Sequence, residues 1–169
     1  MKPAPKTPPK DNSKGPSPKD DGALNKKKAA SKPAKIDENS AAYKKSVKWG
    51  LMVLKYTNDY RKSQGAKPTP QLWNKDLHDL CYLHSIDMGN ADRLSHDKFR
   101  WRIDQMKKKG YPYRGGNENV AYNWGGSDPA KRAFLQWKKS PGHNRNMLAP
   151  RNNVQAASVV VKNGKWWFC

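Results

Sequence analysis

Apolar residues recur at helical spacing over residues 43–64, where Val47, Leu51, Leu54 and Asn58 fall near one stripe. Lys and Arg occupy the opposite side, and Gly65 is a natural stop, so this stretch predicts an amphipathic helix. KPTPQ (67–71) reads as a connector. Residues 75–89 predict a second helix with Leu77, Leu80, Cys81, His84 and Met88 on one face, and a short third helix covers about 98–109. The pattern then changes. YPYRGGNENVAYNWGG (111–126) reads as an irregular strand bounded by glycines. Ser127-Asp128-Pro129 begins a helix with proline in the first turn, and Phe134 and Trp137 face inward from it. VQAASVVVKNGKWWF (154–168) reads as two strands joined by a tight Asn163-Gly164 turn. Helices with a small antiparallel sheet give an α+β layered domain.

The first 40 residues break this pattern. They are rich in Lys, Pro, Ser, Ala and Asp, with almost no large apolar residue. Such a segment buries too little surface to offset chain entropy, so residues 1–40 read as a disordered basic tail and 41–169 as the folded domain. The chain of 169 residues carries +20, and residues 41–169 alone hold 24 basic and nine acidic residues, a net +15. That field suits anionic partners: nucleic acid, lipid headgroups or acidic polysaccharide. The apolar runs GLMVL and ASVVV are far too short to span a bilayer, so no transmembrane segment is expected. Nor does MKPAPKTPPK have the apolar segment of a secretory leader. Two cysteines make no disulfide framework. Cys81 and Cys169 either form one bridge across a long loop or remain a buried thiol and an incidental one, and spacing does not decide between them.

Candidate chemistry gathers in three strings: LSHDKF with His96, GGNENVAY with Glu118, and WKKSPGHNRNML with His143. Glu118 is the only glutamate after residue 40. Imidazoles are common ligands of first-row metals, and a nearby carboxylate can orient one or take a proton from bound water. His96 and His143 are 47 residues apart, so spacing does not bring them together. His84, on the apolar helical face, reads as a hydrogen-bonded core residue, and His78, off that face, as an exposed one. Asn117, Asn119, Asn144 and Asn146 flank the candidate residues and read as loop ties. Aromatic residues including Trp101, Tyr111, Tyr113, Tyr122 and Trp124 sit beside Lys and Arg, a combination suited to stacking on sugars or bases.

These three strings, with TNDYR (57–61), LW (72–73) and LHSIDM (83–88), resemble the CAP superfamily of cysteine-rich secretory, antigen 5 and pathogenesis-related proteins, in its cysteine-poor bacterial form. The resemblance covers roughly residues 50–169 and implies a three-layer α-β-α sandwich, an extracellular location and a central cavity. It places His96, Glu118 and His143 in that cavity, with Ser140 and Trp137 beside them. Ser140 stands where the family's fuller site has a second glutamate, three residues after the helix tryptophan. The implied cofactor is zinc or another divalent cation on His96 and His143. The implied function is binding of a small apolar or anionic ligand of the lipid or sterol class. The alternatives are a metal-dependent hydrolase using His96, His143 and Glu118, with Glu118 and Ser140 as catalytic candidates, and a binder of polyanions through the basic surface. With one carboxylate for the work of two, the enzyme reading is the weaker expectation.

Overall fold

The computed structural model describes residues 35–65, 70–113 and 115–169; of the segment 1–40 read as a disordered tail, residues 1–34 lie outside them, while at its end Ser40 caps α1 and Glu38 pairs with Lys75. Among the described residues, five helices and five short strands follow in the order α1 (Ala41–Ser63), β1 (Leu72–Trp73), α2 (Lys75–Ala91), α3 (Phe99–Lys108), β2 (Ala121–Asn123), α4 (Pro129–Lys139), α5 (Pro141–Leu148), β3 (Val154–Gln155), β4 (Val159–Lys162) and β5 (Lys165–Phe168). β2, β5 and β4 form an antiparallel sheet in that order, and β1 pairs with β3 in a separate parallel ladder. Asn163 and Gly164 both take positive φ (52° and 70°), the geometry that the β4–β5 hairpin turn demands. Side chains alternate across the sheet. The row Ala121, Phe168, Val159 joins the core against α1 and α4, while Trp167 and Tyr122 turn to the other face and meet Cys81 and Met88 of α2. The result is the expected α-β-α sandwich.

The helix starts follow local chemistry. Ser40, Asn74 and Asp128 each accept a hydrogen bond from a backbone N–H in the first turn of α1, α2 and α4, and Pro129 occupies the first turn of α4. α5 and the β1–β3 ladder are additional to the elements read from the pattern; two-residue strands carry too little periodicity to register.

The inner face of α1 is not the predicted one. Leu51 is 44 % exposed, and the fully buried line runs through Tyr43, Ser46, Gly50, Val53, Thr57 and Arg61. Val53 on this line packs into the apolar core, while the polar and small residues face inward where the helix meets backbone. Ser46 Oγ accepts the Val159 amide of β4 (3.0 Å). Arg61 donates to the carbonyls of Met147 (2.5 Å), Ala149 and Asn152 (both 3.2 Å), fastening α1 to the end of α5 and the turn beyond it. A Cβ on Gly50 would run into the Ala157 carbonyl oxygen and stand 2.8 Å from the Trp73 ring.

His78 also departs from expectation: it is fully buried, because α2 packs on α1 as well as on the sheet. The Tyr43, Trp73 and Tyr82 rings surround it. Its Nε2 lies 3.1 Å from Ser46 Oγ and its Nδ1 3.4 Å from Asp79 Oδ1. Since Ser46 already accepts from Val159, its own proton is free to go to Nε2, which puts the imidazole proton on Nδ1, toward Asp79. His84 matches its reading as a core residue, donating from Nε2 to the Ser95 carbonyl (2.7 Å).

Two predictions follow from these contacts. Gly50→Ala gains roughly 1 kcal/mol of helix propensity, but the collision with backbone costs more, about 3 kcal/mol net. Urea unfolding measures it, and a variant as stable as the wild type would show that α1 can back away from Ala157. The second concerns pH. Burial lowers the pKa of both His78 and His84 below the usual histidine value. The unfolded chain therefore binds protons that the fold excludes. The contribution of the neutral rings is complete above pH ~6.5 and is lost as pH falls below it, at up to about 1.4 kcal/mol per pH unit for each ring. A His78→Gln/His84→Gln chain should show a flatter stability profile between pH 7.5 and 5; an unchanged slope would place the acid sensitivity elsewhere.

Candidate functional site

Glu118 sits in the glycine-bounded segment leading into β2, and its carboxylate is engaged on both oxygens. Oε1 lies 2.8 Å from His96 Nδ1. Oε2 accepts from Arg102 Nη2 and is 3.6 Å from the Cys169 thiol. The Arg102 and Glu118 side chains are 4 % and 7 % exposed, so this ion pair is buried. Arg102 comes from α3, where it shares an inward line with Ile103 and Met106. Its second nitrogen, Nη1, donates to the Asp97 carbonyl (2.8 Å) in the turn that carries His96. One guanidinium thus fixes both the carboxylate and the backbone beside its histidine partner. His84 fixes the other side of the same turn through Ser95. His96 itself reaches outward, with its side chain 57 % exposed.

His143 lies in the first turn of α5, half-buried, and its ring has no hydrogen-bond partner among the described residues. Burial lowers its pKa below the usual histidine value, and the nearby His96 lowers it further, so the two rings feel one field. Asn119 donates to the His143 carbonyl (3.1 Å), and Asn146 donates to Asn119 Oδ1 (2.8 Å) and the Glu118 carbonyl (3.4 Å). These two asparagines lace α5 to the Glu118 segment, as read from the sequence. Asn117 is exposed, and the Asn144 side-chain oxygen is buried without a partner. Ser140 joins α4 to α5 but makes no side-chain capping bond. Trp137 lies in the core, 3 % exposed, edge-on to Phe168 and donating to the Val120 carbonyl (3.2 Å). The structure therefore gathers His96, Glu118 and Arg102, with His143 close by, and leaves Trp137 behind them in the packing.

This arrangement limits the chemistry. A catalytic zinc ion takes three protein ligands and an open position. Here both oxygens of the carboxylate are taken, and among the described residues no three His, Cys, Asp or Glu side chains group to hold a metal ion. Two imidazoles fall short of the zinc set. The donor order of a catalytic triad does occur, in Ser46–His78–Asp79, but Ser46 and His78 are sealed at 0 % exposure, so the chain serves structure. A depression of about 480 Å³ runs along α5 and another of about 300 Å³ lies beside the start of α1 and β4. Neither is lined by His96, Glu118 or His143, and the site opens to solvent through His96.

Sequence reasoning missed Arg102 and Cys169 as neighbours of the carboxylate. Arg102 had a visible signal: in FRWRIDQM it falls on the same stripe as Phe99, Ile103 and Met106, and a charge on an apolar stripe needs a buried counter-charge. Breaking the pair by Arg102→Met would strand a buried carboxylate and cost about 3–5 kcal/mol, whereas Arg102→Met with Glu118→Gln should recover much of the loss. Equal stability of the two variants in urea would mean that water already solvates Glu118.

The profile of the cysteine-rich secretory protein family matches residues 54–169. An extracellular protein containing an SCP domain from Bacillus anthracis superposes with a TM-score of 0.55 at 20 % identity, covering 73 % of this chain. The chain spans 40 % of that protein's length. An outer surface protein of Borrelia burgdorferi superposes at 0.54 with 13 % identity, covering 79 % of this chain and 91 % of its own. No functionally curated protein matches in sequence. The similarity of fold and the family profile agree with the ordered His96, Glu118 and His143 strings: the chain belongs to the CAP family of cysteine-rich secretory proteins.

Proposed function

We propose that this is a secreted binding protein whose site receives the oxyanion of a small ligand, a carboxylate or phosphate, on His96 and His143. The saturation of Glu118 by Arg102 and His96 carries this reading. Its negative charge is already matched within the protein. The group left open is the unpartnered His143 ring, beside the exposed His96, on a domain whose residues 41–169 hold a net +15. Imidazole N–H groups donate, and protonation strengthens them. The described extracellular and outer-surface relatives make export the fitting context. A metal-dependent hydrolase fits less well, because both oxygens of Glu118 already have partners in His96 and Arg102, which a base or third ligand would have to share or displace.

Calorimetric titration with inorganic phosphate and with a medium-chain carboxylic acid tests the reading and separates a free anion from an acyl ligand. Burial and His96 lower the His143 pKa below the usual histidine value, so affinity should rise as pH falls below that range and the ring gains its charge. His143→Ala should weaken binding about tenfold, the difference between a charge-assisted hydrogen bond and none. Unchanged binding in that variant, or chelator-sensitive ester or peptide turnover on adding Zn²⁺, would overturn the proposal. A very steep loss of affinity with salt for a long polyanion, with none for the small anions, would transfer the function to the basic surface.

A further inference from the structure

Beneath Glu118 lie two cysteines that no part of the ligand reading uses. Cys81 belongs to α2, Cys169 follows β5, and both are buried in one small apolar cluster with Met88, Val120 and Trp167. The backbone sets their approach. Cys169 and Ser158 exchange two ladder hydrogen bonds, 2.9 and 3.4 Å, so their side chains leave the sheet on the same side. Ser158 Oγ meets Ser85 Oγ of α2 at 2.7 Å. Cys81 is one helical turn before Ser85 on the same line of α2, which sets it over Cys169. The Cys169 thiol also lies 3.6 Å from Glu118 Oε2.

We propose that Cys81 and Cys169 are a buried dithiol that closes to a disulfide under oxidising conditions, tying the end of β5 to α2 directly under the carboxylate of the site. With hydrogen peroxide as the oxidant, one sulfur attacks a peroxide oxygen, giving a sulfenic acid and one water. The second sulfur then attacks the sulfenic sulfur; the S–S bond forms and the second oxygen leaves as water. Two electrons pass from the thiols to the peroxide, and two thiol protons end in two waters. The reaction is slow in the folded state. The Cys169 thiol is held protonated well above its ordinary value by its hydrogen bond with Cys81, and by burial, and the attacking species is the thiolate. A small uncharged oxidant therefore suits the site better than a bulky disulfide. Closure withdraws the thiol donor from Glu118 and constrains a loop running from residue 81 to 169, half of the chain.

The experiment treats the full chain, first fully reduced, with a modest excess of peroxide. Intact mass and thiol titration in denaturant follow. The expected result is the loss of both thiols together and of the mass of two hydrogens, reversed by dithiothreitol. Proteolysis should release one peptide pair joined through residues 81 and 169. The oxidised form should melt about 10 °C higher, as expected for a bridge closing a long loop. Cys81→Ala, which keeps Cys169, should lose the shift in melting temperature and gain oxygen instead of losing hydrogen. Two unchanged thiols after treatment, gain of oxygen in the wild type, or a disulfide-linked dimer would each overturn the proposal. None of these outcomes bears on phosphate or carboxylate binding, so the two readings stand or fall separately.

Discussion

The site depends on one buried ion pair. Arg102 and Glu118 are both nearly sealed from solvent, and each would be expensive to bury alone. Their attraction does more than offset desolvation. Because Arg102 also holds the Asp97 carbonyl, the pair locks α3, the turn bearing His96 and the segment entering β2 into one unit. Glu118 becomes a structural anion, oriented by a guanidinium and pressed against an imidazole. A carboxylate so committed is a poor metal ligand and a poor base. The groups of the site that keep free hydrogen-bonding capacity are therefore its histidines, which is the feature the proposed anion binding draws on.

Much of the fold was legible because the governing signals are local. Asp128-Pro129 starts a helix, Asn163-Gly164 turns a hairpin, and short β-branched and aromatic runs mark the strands on either side. α1 shows where that reasoning fails. Hydrophobic periodicity assumes that a helix faces apolar side chains. The inner face of this helix puts Val53 into the apolar core but also meets the β4 backbone and the carbonyls ending α5, which it answers with Ser46, Gly50 and Arg61. Its aromatic flank, Tyr56 and Tyr60, meets Phe134 of α4 instead. The same cause hid His78: a helix covered on two sides has no face left to be polar. Hydrophobicity reported the composition of the interior and missed the polar seam through it.

The site was legible in part, and for a different reason. Three strings in order marked His96, Glu118 and His143, but their relation in space is tertiary. What joins them passes through Arg102, Asn119 and Asn146, whose roles depend on acceptors far along the chain. Arg102 left a trace in the pattern as a charge on an apolar stripe. Cys169 left none, since its meeting with Cys81 and Glu118 follows from the pairing of β4 with β5 and from the way α2 lies on the sheet. Trp137 reads inward from α4 in the pattern, and its ring does lie in the core, edge-on to Phe168 and behind the site string beside it.

One regularity links the site to the divergence of the fold. The groups that position it bond mostly to backbone carbonyls: His84 to Ser95, Arg102 to Asp97, Asn119 to His143, Asn146 to Glu118, and Arg61 to Met147. A carbonyl is present whatever side chain the residue carries, so each such bond constrains the donor and leaves the acceptor position free to change. A scaffold fastened this way holds its loops in place through a few polar donors while most of the surrounding sequence drifts. The buried exception is the Arg102–Glu118 ion pair, where both partners carry charge and neither can be replaced alone without stranding the other. Loss of either charge strands the other in the interior, so the pair can change only in concert or through an intermediate destabilised by several kcal/mol. The ion pair beneath His96 is therefore the least replaceable part of the site, and the open His143 ring, bonded through nothing but its backbone, is the part on which a change of ligand would act first.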